Sequence, residues 1–275
     1  MSFKSHCGGL VAPESDDNPW HYKISWNPAN VVSAGMNGAV YRQEFSDKKI
    51  SYPEVFNRCP EIYVEDAGNL AWYPNRDSLQ YMHLYGLSHA RDFIRTTLRH
   101  PDFCIAWNCL VNAALTDSQA QIADGIRFRE WSLPVSACMN EMNRKPLEFL
   151  GLFDEELIPE KLNNSARVLQ YLLEKKLMLQ PHDRDMVVMV HELEYTLGEK
   201  THQLSSSLVL KGEDQLHTAM SKTVGLPLGI AAMLILTGQI QLKGLHIPIL
   251  PVIYEPVLKQ LEMEGIRFTE VDKVM

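Results

Sequence analysis

No two of the 15 glycines in this 275-residue chain are separated by a single residue. The Gly-x-Gly-x-x-Gly turn, whose bare backbone lets a pyrophosphate approach a helix N-terminus, is therefore absent. The P-loop pattern, the Gly-x-Ser-x-Gly elbow of serine hydrolases and the His-Glu-x-x-His metal helix are absent as well. Positive charge is not in excess: 26 Lys and Arg stand against 34 Asp and Glu, a formal net charge of -8. No nucleic-acid partner is expected, because displacing counterions from phosphates needs a basic face. No run approaches the ~20 apolar residues that cross a bilayer, so no membrane partner is expected either. The most apolar stretch, residues 224–237, contains Pro227, Gly225 and Gly229 and reads as a core helix.

The first residues, MSFKSHCGGL, lack the apolar stretch of a secretory signal. Five cysteines (Cys7, Cys59, Cys104, Cys109, Cys138) form no Cys-x-x-Cys pair, and no histidine pair has zinc-ligand spacing beside them. Inert structural thiols are the expectation for at least four of the five, in a reducing cytoplasm, with no metal site. With 45% hydrophobic and 22% charged residues, the composition is that of a folded globular chain.

What is present is a mixture of strand and helix signals. Residues 22–26, 49–52, 61–65 and 91–99 read as strands, and 79–85 as a short helix. Asn27-Pro28 is a helix start, with Asn27 as N-cap. From Pro101 to about residue 180 helical signals dominate, including the apolar stripe Val168, Leu169, Leu172, Leu173 and Leu177. Strand character returns at 186–197 and 201–211, a hairpin through Gly198-Glu199-Lys200. Residues 218–237 and 251–264 read as helices, 245–250 and 266–271 as short strands. The expected fold is α/β (α+β): a mixed-sheet domain from residues 1–100 and 181–275, interrupted by an all-helical insertion at 101–180.

Single residues carry little chemistry on their own. Arg76, in the turn Pro74-Asn75-Arg76-Asp77, and Arg99, at a strand end, each offer a guanidinium for bidentate grip on a carboxylate. They read equally as surface arginines paired with Asp77 and Asp102. Cys7, beside Gly8-Gly9, is either a site-lining thiol or an inert one. Trp26 is either a ligand platform or a core residue. His191 reads as a satisfied sheet histidine, and Met186, Met189, Met220 and Met233 as core fillers.

Taken together, six segments resemble one family. SHCGGLVAPESDDNPWHYKISWNP, YPNRDSLQYMHLYGL, FIRTTLRHPDFCIAWN, DMVVMVHELEY, TAMSKTVGLPLGIAAMLIL and IYEPVLKQLEMEGI are similar to segments of glutamate-forming saccharopine dehydrogenases. The resemblance implies the substrate-binding and helical parts of such an enzyme, without its Rossmann cofactor domain. It implies oxidative cleavage of saccharopine to glutamate and 2-aminoadipate semialdehyde, or the reverse, with NADP or NAD in the intact enzyme and no tight cofactor binding by this chain. It assigns Asn75, Arg76, Thr97, Leu98 and Arg99 to the substrate, and Gly9, Leu10, Trp26 and Asn27 to the cofactor side. Cys7 is the catalytic candidate, and a homodimer is implied. Departures fall at His6, Val11, Ala29 and Thr96, where the family commonly has Tyr, Pro, Arg and Gly. Two rival readings stand beside this one: a non-catalytic ligand-binding or pairing module completed by another chain, and a lysine or carboxynorspermidine dehydrogenase-like enzyme.

Overall fold

The computed structural model describes residues 1–274. Strand β1 (Ser2–Val11) opens the chain, followed by helix α1 (Pro28–Val32) and the hairpin β2 (Ala39–Gln43) and β3 (Ser46–Ile50). Next come β4 (Glu61–Val64), β5 (Gly68–Pro74), β6 (Arg76–Asp77), α2 (Gln80–Leu84) and β7 (Asp92–Arg99). Four helices follow: α3 (Pro101–Asn112), α4 (Phe128–Trp131), α5 (Glu141–Phe149) and α6 (Ser165–Leu177). The hairpin β8 (Asp185–Leu197) and β9 (Lys200–Lys211), then α7 (Ala219–Leu236), α8 (Pro251–Met263) and β10 (Thr269–Val274) complete the order.

One sheet runs β10-β9-β8-β1-β7-β2-β3, with β5 paired to β7 and to β4, and β6 paired to β2. β1 is parallel to β7 and antiparallel to β8, so the sheet is mixed and the α/β expectation holds. β1 was not expected as a strand, yet it lies at the centre. Gly8 is what lets β7 come close: a Cβ there would stand 2.6 Å from the Leu98 carbonyl oxygen.

Directly opposed residues share a face, and residues alternate faces along a strand. One face of the central strands carries Leu10, Leu98, Val188 and Val190 in a compact apolar cluster with Leu70 and Met186. The other face is covered in two places. On the β5 side lies the main core, where Ala71 and Tyr73 meet Trp20, Tyr22, Phe103, Trp107 and the buried stripe of α6. On the β9 side Leu208 packs with Ile230 and Leu234 of α7 and with Val257 and Leu261 of α8. Between these two helical groups the sheet face over β1 and β7 is left partly open, with Cys7 exposed and Arg95 and Thr97 half-buried, and forms a trough.

The helix starts follow local rules. Asn27 accepts from the Ala29 amide, Asn164 from Arg167 and Thr218 from Ser221, each satisfying an orphan N–H of a first turn. The buried Asp185 carboxylate accepts from the amides of Ala219 and Met220 at 2.6 and 2.9 Å, which anchors the start of α7 to the end of β8.

Several expectations need correction. Residues 22–26 are extended but form only one bridge, Ile24 to Met178; the alternation reflects Tyr22 and Ile24 pointing into the core. Residues 245–250 form no strand: Pro248 has no amide to donate, and Leu245 is fully exposed. α7 is not a core helix. Only Ala219, Ile230 and Leu234 are buried, while Val224, Leu228, Met233 and Leu236 face outward. Its 18 residues, with mean hydropathy 1.7, are long and apolar enough by composition alone to cross a membrane. Cys109 and Cys138 are joined in a disulfide between α3 and the segment before α5, so the free thiols are Cys7, Cys59 and Cys104.

Candidate functional site

The trough is built by register. Cys7 of β1 stands opposite Thr97 of β7, and Tyr73 of β5 stands opposite Thr97 from the other side. Cys7, Tyr73 and Thr97 therefore point the same way, as do Arg95 and Arg99, two residues either side of Thr97. Across β1, Met189 of β8 faces Cys7. Gly9 follows on the same face, and the space that its side chain would fill is taken by the Met220 methyl of α7.

Arg99 dominates the site. It is 3% exposed, and no carboxylate pairs with it among the described residues. Its Nη1 donates to the Leu98 carbonyl at 2.7 Å and reaches the Gly9 carbonyl at 3.5 Å. Its guanidinium lies over the Tyr22 ring at 5.1 Å and the Phe103 ring at 5.5 Å. Its Nε is buried with no hydrogen-bond partner among the described residues. Burial pushes Tyr73 up to about 12, against the pull of Arg99, so this neighbour is a neutral phenol. The Cys7 thiol is raised by the protein around it, although Arg99 and Arg95 pull the other way. It is a free, solvent-accessible thiol rather than a thiolate at neutral pH, and so a proton donor rather than a base. A cation this deep without an acid is costly unless a ligand anion completes it.

Arg95 borders the trough further along β7, with its guanidinium 4.2 Å from the centre of the Tyr81 ring. A hollow of about 360 Å³ adjoins it, lined by Phe3, Ser5, His191 and Ser206 among others. His191 is not the satisfied sheet histidine expected. Its buried Nδ1 has no partner among the described residues, and burial followed by the nearby His6 depresses its basicity.

The structure does not gather all the sequence candidates. Asn75 donates its amide to the Arg95 carbonyl at 2.9 Å, which sets Arg76 at the far end of β5. Since Arg99 faces Ala71, the two arginines start five strand positions apart, ~17 Å at ~3.4 Å per residue. Arg76 is exposed and sits in the left-handed region at φ 54; its backbone pairs with β2, while its side chain makes no hydrogen bond or ion pair among the described residues. The expected pairings of Arg76 with Asp77 and of Arg99 with Asp102 are not formed; Asp102 lies beside His21 and His100. Leu98 and Leu10 send their side chains into the opposite apolar cluster, so only their backbone is available to a ligand. Trp26 packs against the main core and donates Nε1–H to the Tyr22 hydroxyl at 2.9 Å, while Asn27 is spent on capping α1.

These residues do not make a dinucleotide cradle. Gly9 opens onto a methionine, Leu10 is core, and no described helix start presents a glycine-rich turn. The site residues that sequence reasoning missed are Tyr22, Tyr73, Arg95 and Phe103. Only the face alternation of 91–99 pointed to one of them, Arg95; the three aromatics reach Arg99 through tertiary packing.

A family model for the saccharopine dehydrogenase C-terminal domain matches residues 1–266. The chain belongs to this saccharopine dehydrogenase family. Among curated relatives, the yeast Saccharomyces cerevisiae saccharopine dehydrogenase [NADP(+), L-glutamate-forming] is 31% identical over 290 residues, covering 95% of this chain and 64% of that one. The mouse mitochondrial alpha-aminoadipic semialdehyde synthase is 31% identical over 293 residues, covering 97% of this chain and 31% of that one. A solved structure of apo, histidine-tagged saccharopine dehydrogenase (L-Glu forming) from the same yeast superposes with a TM-score of 0.87 at 29% identity. The match covers 99% of this chain and 67% of that one. The chain thus spans about two thirds of the fungal enzymes and about a third of the mammalian synthase. Saccharopine dehydrogenase family members of this kind are oxidoreductases.

Proposed function

We propose that this chain supplies the substrate side of an NADP- or NAD-dependent saccharopine dehydrogenase. The carrying observation is Arg99: a buried guanidinium with neutral neighbours and an unpartnered Nε fits one carboxylate of a tricarboxylic amine. Met220 and the aromatic wall of Tyr22 and Phe103 keep water from that contact. Cys7 and Thr97 line the floor where the secondary amine would lie, and Cys7 can lend a proton there. Arg95 stands further along β7 for a second carboxylate, whereas Arg76 is exposed at the far end of β5, ~17 Å from Arg99 at ~3.4 Å per residue. When bound, a nicotinamide would accept the hydride of the amine carbon, and no step is assigned to this chain beyond binding and proton positioning.

Isothermal titration with saccharopine tests this reading. The parent chain binds it. Arg99→Ala weakens binding by roughly 2–5 kcal/mol, the scale for losing one partner of a desolvated charged contact. Arg76→Ala has the smaller effect. Binding that is equal in all three proteins would remove the arginine assignment. A second reading, a pairing module, rests on the outward apolar side of α7; sedimentation of the chain as a monomer at high concentration would dismiss it.

A further inference from the structure

Outside the trough, two imidazoles and a carboxylate converge. His21 Nδ1 lies 2.6 Å from Asp16 Oδ2, so this nitrogen donates to the carboxylate and leaves Nε2 with its lone pair free. That Nε2 faces Asp102 Oδ2 at 3.4 Å. His100 Nδ1 accepts from the Asp102 amide at 3.3 Å and lies 3.8 Å from the same Asp102 oxygen, so an ion bound there takes up the lone pair that now caps α3. The two imidazole rings are 3.9 Å apart between centroids. One ligand atom from each of His21, His100 and Asp102 falls within 4.8 Å of the others.

The backbone sets this up. His21 sits in the left-handed region at φ 47, a conformation few non-glycine residues adopt, held by its amide on the Asn18 carbonyl at 3.0 Å. Its neighbour Trp20 is fully buried and donates Nε1–H to the Pro146 carbonyl at 2.7 Å. His100 caps α3 directly after Arg99.

We propose that His21, His100 and Asp102 bind a divalent transition-metal ion of the zinc class, with Asp16 orienting His21. Two imidazoles and a carboxylate suit a borderline cation such as Zn²⁺; Mg²⁺ and Ca²⁺ favour all-oxygen shells. Asp16 on Nδ1 is the carboxylate–histidine arrangement that fixes a ligating ring and raises its basicity. The side chains of the three ligands are 34%, 34% and 43% exposed, so an ion can enter and retain water. Bonds of ~2.0–2.2 Å to one ion draw together ligand atoms that now lie within 4.8 Å of one another. The bound ion would tie the segment carrying Tyr22 to the segment carrying Arg99, and so stiffen the wall of the trough.

Calorimetric titration with zinc chloride tests the site, using a Cys7→Ser background to remove the exposed thiol. One Zn²⁺ per chain is expected, with a raised melting temperature and no heat from Mg²⁺. Asp16→Asn should weaken binding by ~10–100-fold as an orienting partner, and His100→Asn by more. Asparagine is chosen because it keeps the N-cap at 100 and tolerates the left-handed backbone at 21. Circular dichroism confirms that each variant is folded. Zn²⁺ binding that is equal in folded His21→Asn and His100→Asn, or absent in the parent, overturns the proposal and leaves a proton or water in the gap.

Discussion

Lys23 and Arg99 are buried cations, 4% and 3% exposed, and the molecule treats them in opposite ways. Lys23 donates to Asp17 at 2.8 Å and to Asp183 at 2.7 Å. Burial pulls its ammonium down, but the two carboxylates outweigh that and hold it above its ordinary value. Arg99 has two carbonyl oxygens, two aromatic faces and, among the described residues, no acid. A structural cation brings its own counterions; a ligand-binding one waits for them. That difference is a stronger pointer to the site than the presence of arginine.

The largest effect expected from breaking this contrast is at Lys23. Lys23→Met leaves the half-buried Asp183 without its cation and should cost roughly 2–4 kcal/mol of stability, reduced from the full buried-pair value because Asp17 is exposed. Denaturant unfolding measures it. Asp17 is held below the ordinary carboxylate range chiefly by its hydrogen bond to Lys23. The part of the stability carried by that depressed group is present above the ordinary range and lost as pH falls through the folded value. The gap between parent and Lys23→Met should therefore narrow in acid.

Tyr73 sharpens the other half. Its folded value of about 12, raised by burial, means that its contribution is complete below the unfolded value near 10 and is lost as pH rises toward 12. Two pH units correspond to roughly 3 kcal/mol. Tyr73→Phe should flatten the fall in melting temperature across that alkaline window; an unchanged fall would place the titrating group elsewhere.

On the far side of the same strands, His6 is fully partnered, with Thr96 Oγ1 at 2.7 Å and Glu192 Oε2 at 3.0 Å. His6→Ala should cost about 1–3 kcal/mol by leaving the Thr96 hydroxyl unsatisfied, without touching saccharopine affinity. The smallest stability effect belongs to Arg76→Ala. An exposed side chain with no partner among the described residues changes stability by less than ~0.5 kcal/mol, so any loss of saccharopine affinity there reports binding alone.

The sequence was most readable where local rules decide. The β8–β9 hairpin, the capped start at Asn27, and the buried stripe of α6 were visible because caps and periodicity act within a few residues. Central β1 was not. Its trough face reads Ser5, Cys7, Gly9, small and polar because it lines the site, and that erases the apolar alternation that marks a strand. The burial of α7 was misjudged because hydropathy says what a helix can cover, not whether anything lies against it. Arg99 was identified by resemblance, while Tyr22, Tyr73 and Phe103 come from segments far apart in the chain and meet only after folding. The disulfide between Cys109 and Cys138, 29 residues apart, has no spacing signature.

Thermal unfolding of the parent and of Arg99→Met, each with and without saccharopine, goes to the centre of the account. Without ligand, removing a deep cation that has no acid should make the variant more stable by about 1–3 kcal/mol. With saccharopine, the parent alone should gain melting temperature. A variant that melts below the parent and still responds to saccharopine would show that Arg99 holds the fold together and not the substrate.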